Sequence, residues 1–317
     1  MIEPVIAATL RPPHRPRALL LYNPNAASTN ATARDRIVAI LGDGVDLEVQ
    51  PTKQRGHATH VAAGAVHEGL DAVFVLGGDG TTNEVLQSLA TTDVCLGHIP
   101  GGGANVFARS LGLPTDQQEA ARRIRDALLE GRHRPISLGR AGERWFGFSA
   151  GLGFDAAVVR RIEQRPRRKR LLGDVAFVDQ AVREWFAGGV GPQPAIRVHG
   201  TGGQARGPYG IAMVANADPY TYLGPRPMRV TPDASHDRGL DLLCVGPVTT
   251  ARILRIIAET FGRAGHARFP EVDYWRDLDR FDLVADSPLP LMVDGDYAGE
   301  HQQVTFSAHL GALKALC

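Results

Sequence analysis

The chain has 317 residues, 44% hydrophobic and 22% charged, with 35 Lys and Arg against 34 Asp and Glu. This is enough apolar material for a sizeable core and too little charge for a disordered, solvated chain; a formal net charge of +1 excludes nucleic-acid binding through the whole surface. Three cysteines, Cys95, Cys244 and Cys317, show no CxxC spacing, which argues against a disulfide framework or a zinc knuckle.

At roughly 100–200 residues per domain the length predicts about two domains. The opening MIEPVIAATLRPPHRPR has no basic start and no small-residue cleavage pattern, so it does not read as a secretory signal. No segment approaches the roughly 20 apolar residues of a membrane span. The expected location is cytoplasmic, free or peripheral on the inner face of the membrane.

From residue 17 onward, strand-like and helix-like segments alternate. Residues 18–22 (ALLLY) form a short apolar run ending in the turn signal Asn23-Pro24, and 31–42 carry apolar residues at helical spacing. A strand is predicted over 45–49, a helix over 57–70, a buried strand over 72–76 and a helix over 81–89. A strand over 94–99 and a helix over 105–111 follow, with a further helix ending near Gly131. This alternation implies βαβ units and a mostly parallel sheet covered on both faces. Beyond residue 137 the segments shorten and become strand-like: 144–149, 195–199, 208–215, 227–230, 240–245, 280–285, 290–294 and 302–307. Helices are predicted at 154–164, 173–187 and 250–263. The expected fold is therefore α/β, a Rossmann-like N-terminal domain with a parallel sheet over residues 17–136, followed by a β-rich domain over 137–304.

Two glycine loops stand where an α/β sheet places ligands, at the carboxyl ends of strands. The first is Gly77-Gly78-Asp79-Gly80-Thr81-Thr82-Asn83-Glu84-Val85, between a buried strand and a helix. Glycines there permit positive φ and close approach to a ligand, and the first free amides of the helix are anion donors. Asp79 among those amides suits a magnesium ion carried with phosphates better than bare phosphate. The second loop, Pro100-Gly101-Gly102-Gly103-Ala104-Asn105, follows the next strand, and Asn105 is placed to cap the helix or to contact a base or ribose. Two such loops on adjacent strand ends converge on one cleft.

These residues, with the IPGGGANVFARSLGLP segment, resemble the diacylglycerol kinase catalytic-domain family, which includes bacterial lipid kinases and sphingosine kinases. The resemblance continues through Asn23-Pro24, through Thr52 with Gly56-His57-Ala58, and through residues 148–155 (FSAGLGFD). It ends on Asp237-Arg238-Gly239-Leu240-Asp241 and Val293-Asp294-Gly295-Asp296. It implies an ATP-dependent phosphotransferase of lipid and phospholipid metabolism, acting on a lipid hydroxyl such as that of diacylglycerol. The C-terminal domain would be sandwich-like, with residues 305–317 returning to the first domain.

By motif match Asn23, Thr52, Gly77, Gly78, Asp79, Gly80, Thr81, Glu84, Gly102, Gly103 and Asn105 would hold the nucleotide. Asp79 would organise its Mg2+, and Asp296, in place of the family's usual Glu, would be the catalytic base. The chain departs from the family pattern at NPNAAS, Gly103, Val106, Ser137 and Arg238. Ser137 and Arg238 replace two acids that bind a structural magnesium in bacterial members. Asp237 is then the candidate metal ligand of that loop, and Arg238 is expected to replace the metal's charge by pairing with Asp237, Asp241 or Glu84.

Residues 160–170, from Arg160 to Arg170, carry seven basic side chains and one acid. Such a run fits an anionic membrane surface, where each basic residue contributes about 1 kcal/mol; it fits a solvated helix end equally. No aromatic interleaving supports nucleic-acid binding. Two other functions stay open: an NAD kinase-like kinase of a soluble substrate, because GGDGT is shared across that wider superfamily, and a nucleotide-binding regulatory protein without turnover. The sequence leaves the acceptor lipid and the oligomeric state unspecified.

Overall fold

The computed structural model describes residues 15–26, 28–163, 195–200, 202–262 and 264–317. The N-terminal half alternates β1 (Arg17–Tyr22), α1 (Ala31–Leu41), β2 (Asp46–Pro51), α2 (His57–His67), β3 (Ala72–Gly77), α3 (Asp79–Leu89) and β4 (Cys95–Pro100). A short α4 (Val106–Ser110) and α5 (Gln117–Leu129) complete it. The four strands lie parallel in the order β2-β1-β3-β4. Every residue of β3 and β4 is buried, because α1 packs on α5 and α2 on α3 to cover the sheet. Asn30 and Asp116 cap α1 and α5 by accepting from Ala33 N at 2.8 Å and Glu119 N at 2.9 Å.

The C-terminal half is antiparallel. It runs β5 (Arg134–Ala141), β6 (Arg144–Phe146), β7 (Ser149–Gly153), α6 (Phe154–Glu163), β8 (Ile196–His199), β9 (Arg206–Tyr209) and β10 (Ile211–Ala215). The hairpin β11 (Thr221–Leu223) and β12 (Arg226–Met228), β13 (Leu240–Val245), α7 (Thr250–Thr260), β14 (Val272–Leu278), β15 (Arg280–Val293) and β16 (Asp296–Ala315) follow. The period-2 alternation of strands splits this half into two cores. Ala212 and Val214 of β10 and Leu240, Leu242 and Cys244 of β13 face one, with Phe281, Leu283 and Phe306. Ile211 and Ala215, with Leu243 and Val245, face the other, which Ala156 of α6 and Ile253 and Ile256 of α7 cover.

The fold is thus mixed α/β with a parallel N-terminal sheet and a β-rich C-terminal half, and β16 joins them. This strand pairs with β15 and β5, then ends parallel to β4 at Ala315 opposite Leu96. Leu313 and Leu316 are buried in the first core.

The strands differ from the sequence reading at several places: β5 and β11 were not expected, and 208–215 divides into β9 and β10. The segments 280–285 and 290–294 form one strand bent by bulges, because β16 pairs with both. β14 was missed: it is half-exposed and carries Asp273, Arg276 and Asp277, so its apolar alternation is broken. The helix expected over 173–187 lies outside the described residues, as do positions 164–170 of the basic run. Arg160, at the start of that run, pairs with Glu300 at 2.5 Å.

Candidate active site

The two glycine loops touch backbone to backbone. Gly101 N donates to Gly77 O at 2.7 Å. A Cβ on Gly102 would lie 2.7 Å from Gly78 Cα, and one on Gly101 would lie 3.0 Å from Gly77 Cα. None of Gly77, Gly78, Gly80, Gly101, Gly102 or Gly103 has positive φ, which corrects the expectation drawn from backbone freedom. Gly78, Gly101 and Gly102 are needed because a side chain on any of them would press against the partner loop's backbone, whereas a Cβ on Gly80 would make only ordinary contact with Asp296 and one on Gly103 would meet open space.

Asn105 carries the positive φ of the second loop, at 47°, and its side chain neither caps α4 nor reaches outward. Its Oδ1 accepts from Gly102 N at 2.8 Å and its Nδ2 donates to Gly102 O at 2.9 Å, closing the loop on itself. The cap of α4 comes from the other loop. Asp79 Oδ2 accepts from Val106 N at 2.9 Å and Oδ1 from Phe107 N at 3.0 Å. Burial pushes this carboxyl up, against the pull of those two amides, and Asp296 adds to the rise. Asp79 is therefore a cross-link between the loops, and its remaining lone pairs suit a metal reached through water.

Asn23 and Thr52 arrive at the same sheet edge at the ends of β1 and β2. Asn23 N donates to Leu76 O at 3.0 Å and Thr52 N to Tyr22 O at 2.8 Å. The Asn23 side chain accepts from Asn25 N at 2.9 Å, and Ser28 N donates to Gly101 O at 3.1 Å, so the NPNAAS loop leans on the second glycine loop. Thr29 Oγ1, missed in the sequence, is buried there without a partner. α3 has no side-chain cap, and its first intrahelical bond is Thr82 N to Gly78 O at 3.2 Å. The amides of Asp79, Gly80 and Thr81 precede that bond and form an anion-binding end. A cavity of about 340 Å³ adjoins the loop, lined by Ser28, Pro100, Gly102, Asn105 and Gln117 among others.

The tight turn from β15 to β16 delivers two carboxylates to this edge, with Asp294 at φ 48° and Gly295 at φ 82°. Asp294 is buried and accepts four hydrogen bonds: from Asn83 Nδ2 (2.9 Å), Gly147 N (2.7 Å), Phe148 N (2.9 Å) and Ser149 N (3.1 Å). Burial still outweighs these donors and pushes its carboxyl up to about 6. It pins the turn to α3 and to the chain between β6 and β7. Asp296 projects over the first glycine loop, its Oδ1 3.6 Å from where a Cβ on Gly80 would stand. Two guanidiniums reach its Oδ2, Arg144 Nη2 at 3.5 Å and Arg55 Nη2 at 3.6 Å. Asn83 lay inside the recognised loop motif, but nothing local marked it, Arg55 or Arg144 as partners of residues so far along the chain.

Three expectations need correction. Glu84 is engaged within the protein: its oxygens accept from Gly56 N at 2.8 Å and Ala58 N at 3.1 Å, at the start of α2. Asp237 pairs with Arg134 at 2.6 Å, and among the described residues no group of three His, Cys, Asp or Glu is arranged for a metal. Arg238 pairs with Asp277 at 3.7 Å, in place of Asp237, Asp241 or Glu84, because β14 brings Asp277 to the loop. Since no three acids among the described residues are arranged to hold a metal, the residues fit a magnesium ion that arrives with phosphate ligands and do not fit an all-protein site.

Two family models match the sequence: the Diacylglycerol kinase catalytic domain over residues 17–141, and the YegS C-terminal NAD kinase beta sandwich-like domain over residues 149–317. A diacylglycerol kinase of Mycobacterium tuberculosis (strain ATCC 25618 / H37Rv) is 41% identical over 131 residues, which is 40% of this chain and 41% of that protein. The chain thus spans about two fifths of the length of that relative. A diacylglycerol kinase of Staphylococcus aureus (strain MRSA252) is 26% identical over 293 residues, 90% of this chain and 88% of the relative. The crystal structure of a putative diacylglycerol kinase from Bacillus anthracis str. Sterne has the same fold, with a TM-score of 0.73 at 23% identity over 95% of this chain and 96% of that one. With paired glycine loops in the first half and the sandwich-like second half returning Asp296 to them, the chain belongs to the diacylglycerol kinase catalytic-domain family.

Proposed function

We propose that the protein is an ATP-dependent lipid kinase that phosphorylates the hydroxyl of diacylglycerol or a related lipid. The observation that carries this is the position of Asp296 over Gly80, a carboxylate beside the anion-binding start of α3. Phosphates of ATP bind the amides of residues 79–81, with Asn23, Thr52 and the 101–105 loop around the rest of the nucleotide. Magnesium, bound with the phosphates, supplies neutralisation of their charge. Asp296 accepts the proton of the lipid hydroxyl as its oxygen bonds to the γ-phosphorus; the bond from that phosphorus to the β-γ bridging oxygen breaks, and ADP leaves. Asp79 holds the two loops together beneath the phosphates. The family membership and the names of the relatives support a lipid acceptor. Among the described residues no helix is long and apolar enough to cross a membrane, so on this reading the lipid is met at a surface.

The test is transfer of γ-labelled phosphate from ATP to a total lipid extract, with Asp296→Asn and Asp79→Asn beside the wild type. Labelled lipid is expected from the wild type only, with Asp296→Asn reduced at least about a hundredfold, the low end of general-base contributions. Label on a water-soluble acceptor, or none despite ATP binding, would overturn the lipid-kinase reading.

A further inference from the structure

α7 buries Ile253, Ile256 and Thr260 on the side that faces the sheet, and a helix that met only water on its other side would be polar there. It is apolar on both sides. Leu254 is 58% exposed and Ile257 37%, three residues apart on one face, and they are two of the four large apolar side chains exposed among the described residues. Ala251 and Ala258 are exposed beside them, and the half-buried Phe261 continues the stripe at the helical spacing 251, 254, 258, 261. Single exposed leucines, such as Leu129 and Leu310, are ordinary in a folded protein. An apolar stripe with a charged rim marks a surface that something covers.

The rim is basic. From Thr250 to Pro270 the sequence carries Arg252, Arg255, Arg263 and Arg268 against one acid, Glu259. Arg255 and Arg268 are exposed, while Arg252 pairs with Glu271 at 3.1 Å. The guanidiniums of Arg252 and Arg255 each lie 5.3 Å from the centre of the Phe269 ring, which fixes them along the helix. α6 covers the same face of the sheet through Ala156, and the basic run of residues 160–170 begins on it at Arg160. Met292 of β15 packs into that core too, so the covered face extends to the turn that carries Asp296. Two copies joined symmetrically through α7 would set arginines against arginines. An anionic bilayer answers both features, its acyl chains taking the leucine and isoleucine and its phosphates the arginines. We propose that the outer face of α7, Leu254 and Ile257 with Arg255 and Arg268, is a docking surface for an anionic lipid bilayer. That this bilayer holds the substrate rests on the lipid-kinase reading above.

The experiment is sedimentation of the full chain with vesicles of phosphatidylcholine alone and of phosphatidylcholine mixed with phosphatidylglycerol. The double variants Leu254→Ser with Ile257→Ser and Arg255→Gln with Arg268→Gln are compared with the wild type, and Leu310→Ser on β16 is the control. The wild type is expected to sediment with the mixed vesicles. Both double variants should bind them about tenfold or more weaker, and Leu310→Ser within about twofold of the wild type. The substituted side chains are exposed, so all the variants should melt with the wild type. A wild type that sediments with neither vesicle, or a serine pair that sediments like the wild type, would overturn the proposal. So would a wild-type dimer in analytical ultracentrifugation that the serine pair converts to monomer, since the face would then belong to a second copy. Phosphate transfer to a short-chain, water-soluble diacylglycerol separates this proposal from the reading it rests on. Transfer should be equal in the wild type and the serine pair, and its absence from both would overturn the kinase reading while the vesicle result stands by itself.

Discussion

His98 and His236 are buried, and desolvation pushes both imidazoles down to about 4. His98 sits between Thr82 Oγ1 at 3.3 Å and Gly77 O at 3.2 Å. His236 sits between Ser110 Oγ at 2.9 Å and Asn216 Nδ2 at 3.3 Å, and the rings of both flank Phe107. Asn216 donates to the His236 ring, so that contact needs the neutral form. A histidine whose folded value is depressed contributes stability that is complete above the unfolded value of about 6.5 and is lost as pH falls toward 4. At pH 5 each removes on the order of 2 kcal/mol relative to pH 7. Denaturant midpoints across pH 7 to 5 check this, and His98→Gln should flatten the slope. A wild-type midpoint constant over that window would contradict it. His98 holds the first glycine loop through Gly77 O, so its protonation should loosen that loop.

At the scale of elements, the seam between the loops makes opposite predictions for neighbouring glycines. Gly102→Ala places a Cβ 2.7 Å from Gly78 Cα, and the obstacle is backbone that cannot rotate away. The expected cost is about 1–3 kcal/mol of stability, together with weaker nucleotide binding, since the loops would part. Gly103→Ser meets nothing within 4 Å and should melt with the wild type. Thermal denaturation of the pair decides between a packing role and a purely conformational one.

The loop around Arg238 is tied by Arg238 to Asp277 and by Asp237 to Arg134, two ion pairs where an acid cluster would be required for a cation. Titration of magnesium into nucleotide-free protein is therefore expected to leave the melting temperature unchanged, and strong saturable stabilisation would contradict that.

At the scale of the whole molecule, β16 does two jobs. Its first residue is Asp296, delivered over Gly80, and its last turns into the first core as the neighbour of β4. Leu313 and Leu316 are buried there, and Leu316 N donates to Leu96 O at 2.8 Å. Burying a leucine contributes about 1.5–3 kcal/mol, and a domain holds only about 5–15 in reserve. Removal of residues 312–317 should therefore lower the denaturation midpoint of the N-terminal half sharply, as a tryptic-resistance or circular-dichroism melt would show; an unchanged melt would mean that β4 tolerates an open edge.

A second tie between the halves is Arg109 of α4, whose guanidinium lies 3.1 Å from the centre of the Tyr222 ring on the β11–β12 hairpin.

The local patterns in the chain were sufficient for the helix and strand alternation of the first half, the β-rich second half and the pairing of the two glycine loops. Each of these depends on periodicity or on residues a few positions apart. Asp79 and Asp296 were legible for the same reason, as carboxylates inside short motifs. The partners of those carboxylates were not. That Asp79 caps α4, that Glu84 serves α2, that Asp294 gathers Asn83 with the 147–149 amides, and that Arg55 and Arg144 meet at Asp296 all depend on contacts between residues from 26 to 241 positions apart. Arg238 illustrates the limit: Asp237, Asp241 and Glu84 were its candidate partners, and strand pairing supplied Asp277 instead. Hydrogen bonding within a turn or helix is decided by neighbours along the chain. Which carboxylate neutralises which cation is decided by sheet order and register, and only the tertiary structure contains those.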